Sequence, residues 1–261
     1  MKNRLSTTSM IIAFYVALFP HTSTALNDNS VTKILRLEGV ITSDTALQFN
    51  QQLSKWNNQD PIPAGLIVLL NSPGGDGEAA MKIGRLLRSK KAQVFVIGRC
   101  ESACVFVMAG GVVRAANADT VGIHAGRITM TDRNGKILRE VDSSHSLTNS
   151  FRLTSFNSEA HKYFTEMGFS QGFLDAMLSH QTVQTYKLSE SEMREYSVIG
   201  FENQYLHERA LVFEGMKGEE RINRIELFNR TLSVPALCKA ANSNKAFVDC
   251  YKSALYGLNP R

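Results

Sequence analysis

Three short apolar runs mark the first half of the chain: Leu66-Ile67-Val68-Leu69-Leu70, Gln93-Val94-Phe95-Val96-Ile97-Gly98 and Thr120-Val121-Gly122-Ile123. They are bounded by turn residues, rich in β-branched side chains and free of polar alternation. That is the pattern of strands buried on both faces of a parallel sheet. An earlier run, Lys33-Ile34-Leu35-Arg36-Leu37, reads as a further strand ahead of Gly39. Between the strands the period becomes helical. A helix capped by Ser43 or Asp44 runs through Leu47, Phe49 and Leu53 to Trp56, and a polar, proline-bearing turn covers Asn57 to Pro63. Gly77 to Ser89 carries Ala80, Ile83, Leu86 and Leu87 at helical spacing and ends in Lys90-Lys91. Strands alternating with helices predict an α/β fold.

The second half reads differently. Arg127 to Ser144 is a polar excursion in which alternating stretches flank Asn134-Gly135, a hairpin signal. A long helical segment, Leu147 to Met167, is ended by Gly168, and a shorter helix spans Ser170 to Leu178. Tyr186-Lys187-Leu188-Ser189 then leads into a capping-box helix that starts with Ser189 and Glu192. Residues 201–261 show an apolar pattern around Ile222 to Leu232, followed by Pro235. They are expected to form a small helical extension with no visible chemistry.

Polar residues stand where the apolar runs stop, and the carboxyl ends of strands are where open α/β sheets place their sites. The first run breaks into Asn71-Ser72-Pro73-Gly74-Gly75, the second into Cys100-Glu101-Ser102-Ala103-Cys104, and the third delivers His124. A serine hydroxyl becomes a useful nucleophile when a neighbouring base takes its proton, and histidine has the pKa for that task. The oxyanion formed on attack needs backbone N–H donors. Gly74-Gly75 supplies uncrowded backbone, and the N–H of Ala103, just after the serine, is the natural second donor.

These motifs, together with Ala109-Gly110 and Val121-Gly122-Ile123-His124, resemble the ClpP serine-protease family of the ClpP/crotonase superfamily, over about Lys33 to Gly200. The resemblance implies an α/β spiral of parallel strands and helices, with Ser102 as nucleophile, His124 as base, and Gly75 and Ala103 as oxyanion donors. It implies no cofactor and no metal. In the family an aspartate completes the triad shortly before the stretch that here reads Tyr186-Lys187-Leu188-Ser189. Gln181, beside His180, falls at that position, and Asp175 is the nearest carboxylate, so the third place stays open between Asp175 and Gln181. The region after His124 forms a projecting handle used for assembly in the family, which implies a homo-oligomer. Related signal peptide peptidase A enzymes use a serine–lysine dyad, but Lys90-Lys91 reads as a solvated helix end.

Residues 1–25 carry Lys2 and Arg4, an apolar core from Met10 to Phe19, and Ser23-Thr24-Ala25. That is a signal peptide cut near Ala25, with a core too short to span a bilayer. The expected organisation is a leader over 1–25, a ClpP/crotonase-like domain over 26–200 and the extension over 201–261. Export, to the periplasm, removes the ATP-driven unfoldases that feed cytosolic family members. The reading is therefore an ATP-independent peptidase with no ATPase partner, acting on peptides or unfolded protein. Without Lys2 and Arg4 the chain has 27 basic and 24 acidic residues, and no basic run is interleaved with aromatics, so nucleic acid is not a partner.

Four cysteines in an exported chain favour disulfides over metal. Cys238 and Cys250 are expected to pair, whereas Cys100 and Cys104 either bridge across the serine or remain buried thiols. His145, His161 and His207 show no ligand spacing. Two rival readings are a non-catalytic scaffold on the same fold and a crotonase-type enzyme acting on acyl-CoA, which export disfavours. An α/β-hydrolase lacks its Gly-x-Ser-x-Gly here.

Overall fold

The computed structural model describes residues 32–56, 65–132, 137–141, 146–182, 184–218 and 221–258. The leader and the Asn134-Gly135 turn lie outside them, as does His145. The chain enters on β1 (Lys33–Glu38), crosses by α1 (Ser43–Trp56) to β2 (Leu66–Ser72) and by α2 (Gly77–Ser89) to β3 (Gln93–Glu101). A short α3 (Cys104–Ala109) leads to β4 (Val113–Ala115) and β5 (Val121–Ile123). β6 (Thr129–Thr131) and β7 (Ile137–Glu140) form a separate antiparallel pair, followed by α4 (Leu147–Glu166) and α5 (Gln171–Ser179). β8 (Tyr186–Lys187), α6 (Glu190–Glu195) and β9 (Gly200–Phe201) come next, then α7 (Asn203–Glu214), α8 (Arg224–Leu237) and α9 (Asn244–Leu255).

β1, β2 and β3 pair in parallel, and β3 is long enough to take two further partners. Its first half pairs with β4, its last residues with β5, both in parallel. β9 and β8 extend those two branches antiparallel. The fold is mixed α/β with a mostly parallel sheet, as the uninterrupted apolar runs require.

Helix starts follow the cap chemistry of the sequence. Asp76 caps α2 by accepting from Ala79 N, Ser146 caps α4, and Ser189 with Glu192 forms the capping box of α6. At α1 the structure corrects the expected cap. Thr42, one residue before Ser43, exchanges hydrogen bonds with Thr45, each backbone N–H donating to the other's Oγ1.

The period-2 geometry of a strand explains why β2 is apolar at every position. Leu66, Val68 and Leu70 face one core with Leu53, Ile83, Leu87 and Phe106. Ile67 and Leu69 face another with Phe95, Val234 and Phe247. The C-terminal helices supply the other side of that second core and so cover one face of β2, β3 and β4. Tyr251 of α9 donates to Gln93 of β3 at 2.6 Å, and a disulfide joins Cys238 to Cys250, Cα atoms 5.7 Å apart. Among the described residues no helix is long and apolar enough to cross a membrane.

Candidate active site

Ser102 sits in the turn between β3 and α3, with a backbone φ of 53°. Non-glycine residues avoid this left-handed region, and such strain collects at functional sites. The turn is tied to the sheet, because Ser102 N donates to Gly122 O of β5 at 2.8 Å. In the register of β3 with β5, Glu101 lies opposite Gly122. Ser102 and His124 therefore leave the same carboxyl edge from neighbouring strands.

The glycine loop packs directly on this turn. A Cβ on Gly74 would lie 2.6 Å from Glu101 O and 2.8 Å from Ser102 Cβ. A Cβ on Gly75 would lie 2.2 Å from Ile41 O, and both glycines have φ values, 97° and 143°, that side chains disfavour. Ser72, fully buried, holds the loop by donating to Gly39 O at 2.6 Å and accepting from Gly74 N at 3.0 Å. The bridge between Ile41 and Gly75 uses the carbonyl of Gly74 and the amide of Asp76. Among the described residues, neither Gly75 N–H nor Ala103 N–H has an acceptor; Gly75 is exposed and Ala103 is buried.

His124 is half-buried. Its Nδ1 lies 2.6 Å from the carbonyl oxygen of Ala125. A carbonyl only accepts, so Nδ1 carries the proton and Nε2 is left as the basic atom. Burial pushes the imidazole pKa below its ordinary value; the Ala125 carbonyl opposes that, Arg127 adds to it and Glu140 opposes it. Ala125 N in turn donates to His180 O at 2.8 Å, tying the loop to the end of α5. No hydrogen bond joins Ser102 to His124 among the described residues; such bonds commonly close only around substrate.

Among the described residues neither candidate for a third catalytic group hydrogen-bonds to His124. Asp175 lies on the exposed face of α5 and accepts from Gln171 Nε2 at 2.9 Å. Gln181 is exposed and lines a cleft of 530 Å³ shared with Ala125, Arg127, Ile128, Glu140 and Leu178. His180 stacks its ring on Tyr186, centroids 4.1 Å apart, and its carbonyl accepts from Ala125 N of the His124 loop. Lys91 pairs with Glu208 of α7 at 3.0 Å, and His161 and His207 are exposed. Among the described residues no three His, Cys, Asp or Glu side chains converge on a metal position.

Two features went unseen in the sequence. The Ala125 carbonyl orients the histidine, a backbone role that leaves no residue-type signal. Arg127 and Glu140, 3.2 Å apart across the β6–β7 pair, are the charges that act on it. Their placement on the hairpin was legible, their proximity to His124 was not.

The Clp protease family model matches residues 22–142. Over that stretch the chain is similar to the Clp protease family. The Clp protease match includes Gly75, Ser102, Ala103 and His124, and ends before Asp175 and Gln181. Among solved structures the chain is similar to a mutant of the 1510-N membrane-bound stomatin-specific protease. The two are 21% identical, with 69% of this chain and 85% of that one covered and a TM-score of 0.45. A search of curated proteins gave no match.

Proposed function

We propose that this chain is an exported, ATP-independent serine peptidase of the Clp protease type that cleaves peptides or unfolded protein segments. The observation that carries the reading is Ser102. It is held at φ 53° on a strand-to-helix turn, against Gly74-Gly75 and beside the strand that ends in His124. Ser102 Oγ attacks the scissile carbonyl carbon while His124 Nε2 takes the hydroxyl proton. The oxyanion accepts from Gly75 N–H and Ala103 N–H, each typically worth about 10²–10³ in rate. Collapse of the tetrahedral adduct expels the amine, which receives the proton from Nε2, and water releases the acyl group by the reverse sequence. The Ala125 carbonyl stabilises the imidazolium in the place where a triad keeps a carboxylate.

Export is supported by the leader pattern and by two disulfides, which persist in oxidising compartments. N-terminal sequencing of the periplasmic protein should start at Leu26. Assembly into a homo-oligomer through the β6–β7 and α4 region belongs to the same proposal, and light scattering of the purified protein tests it. The decisive experiment is fluorophosphonate labelling with cleavage of unfolded casein. Ser102→Ala should abolish both, and His124→Ala should lower both by about 10²-fold or more. A wild-type protein that neither labels nor cleaves makes the chain a non-catalytic scaffold on this fold.

A further inference from the structure

The turn that carries Ser102 is closed by a covalent bond. Cys100 and Cys104 are joined in a disulfide around it, their Cα atoms 5.1 Å apart and both residues fully buried. Cys100 belongs to β3 and pairs with Ser72 on one side and Val121 on the other, while Cys104 opens α3. Backbone hydrogen bonds hold each of these two pieces and meet only at Ser102 among the described residues. On the sheet side, Cys100 N donates to Thr120 O and Ser102 N to Gly122 O; on the helix side, Val105 N donates to Ser102 O and Phe106 N to Ala103 O. No side-chain cap adds to these at the helix start, since the N-cap residue is Ala103. A left-handed serine persists only where its surroundings impose it. The disulfide is a covalent tie from the end of the strand to the start of the helix across that serine.

We propose that the Cys100–Cys104 disulfide is a positioning element of the active site, holding Ser102 in its left-handed turn and Ala103 N–H in its place as oxyanion donor. The inference rests on Ser102 being the nucleophile. Ser72 pairs with Cys100 and also holds the Gly74 loop, so both halves of the oxyanion site hang from the clamped ladder. A dithiol reductant would convert the bridge to two thiols. The disulfide takes two electrons and two protons, and the dithiol is oxidised to its own disulfide. The peptidase is then competent in an oxidising compartment and impaired in a thiol-reducing one.

The Cys238–Cys250 bridge supplies the control, because it ties α8 to α9 in the core on the opposite face of the sheet. Three forms of the mature protein are compared: oxidised wild type, Cys100→Ala with Cys104→Ala, and Cys238→Ala with Cys250→Ala. Fluorophosphonate labelling rate, kcat, KM, circular dichroism and Tm are measured for each. The first double variant should stay folded and lose about 10- to 100-fold in kcat and labelling rate, the scale of an unimposed left-handed turn. Its KM should hold within about 3-fold, as for a loss felt at the reacting centre. The second should lose Tm and keep kcat. Dithiothreitol applied to the second variant can reduce only Cys100–Cys104; activity should fall with thiol release and return on reoxidation.

Full kcat in the Cys100→Ala, Cys104→Ala protein overturns the inference. So does unfolding of that protein, or a fall in rate that tracks Tm equally in both double variants, since the bridge is then a general staple. An oxidised wild type that does not label fails earlier and at a different point, taking the serine-peptidase reading itself with it.

Discussion

His124 shows how far a single residue is set by its neighbours. Its imidazole is held below the ordinary pKa of about 6.5 by burial, and the base form that the proposed mechanism requires is the neutral one. The neutral form therefore survives to lower pH, and the acid limb of kcat/KM should fall below that value. Arg127 pushes the pKa down and Glu140 pushes it up. Arg127→Ala should move the limb to higher pH and Glu140→Gln to lower pH; two variants moving the same way would show that the pair does not act on His124. Asp175 is exposed and engaged by Gln171, so Asp175→Asn should leave kcat/KM within about 3-fold. A loss of about 10²-fold would make it the partner of His124 after all. Gln181 lines the cleft beside Ala125, so Gln181→Ala should act on KM before kcat.

At the scale of elements, the turn that carries Ser102 depends on how α3 is seated. This six-residue helix lies against α2 where two glycines meet: a Cβ on Gly110 would come within 2.1 Å of Gly84 O. A Cβ on Gly84 would lie 1.9 Å from Tyr163 Oη, the hydroxyl that donates to Phe106 O at 2.6 Å. Phe106 stacks on Phe164 and meets Phe156 edge-on, so α3 is gripped by α4 on its other side. Gly84→Ala should gain about 1 kcal/mol of helix propensity. It should lose more by displacing Tyr163 from a bond between buried groups and overpacking the contact, roughly 1–3 kcal/mol for each effect. Urea denaturation should show a net loss and peptidase activity should fall with it. A more stable protein would mean that α2 and α3 can part without consequence.

Across the whole molecule, the sheet needs cover on both faces, and one buried cation helps to lock its far edge. Arg114 on β4 is 4% exposed and donates to the carbonyls of Gly111, Met167, Ser197 and Val198, at 2.9 to 3.3 Å. Burial pulls its guanidinium pKa down, and nearby Arg88 adds to that. These carbonyls come from β4's own approach, the end of α4 and the turn before β9, so one side chain ties three segments of distant sequence. Arg114→Lys keeps the charge but has no planar fork to reach all four oxygens. It should destabilise the chain by roughly 2–3 kcal/mol, the cost of leaving buried acceptors unmet, measured by urea denaturation. Stability within 0.5 kcal/mol of wild type would show that water or repacking meets them.

The sequence by itself determined what depends on local chemistry. Unbroken apolar runs such as Leu66 to Leu70 announced strands buried on both faces, and Ser189 with Glu192 announced a helix start. Gly74-Gly75, Ser102 and His124 announced their place at strand ends, because turn chemistry and period are carried by neighbouring residues. Where competing local bonds decide, the reading slipped by one residue, as with Thr42 in place of Ser43. Tertiary structure decided whatever joins distant segments. Residues 201–261 had no visible task until the second face of the sheet was seen to need Val234 and Phe247. Cys100 and Cys104 could bridge or stay as thiols until the turn around Ser102 brought them together. The partner of His124 could not be read at all, because it is the carbonyl of Ala125. Every residue carries a carbonyl, so only the path of the backbone says which one turns towards the ring.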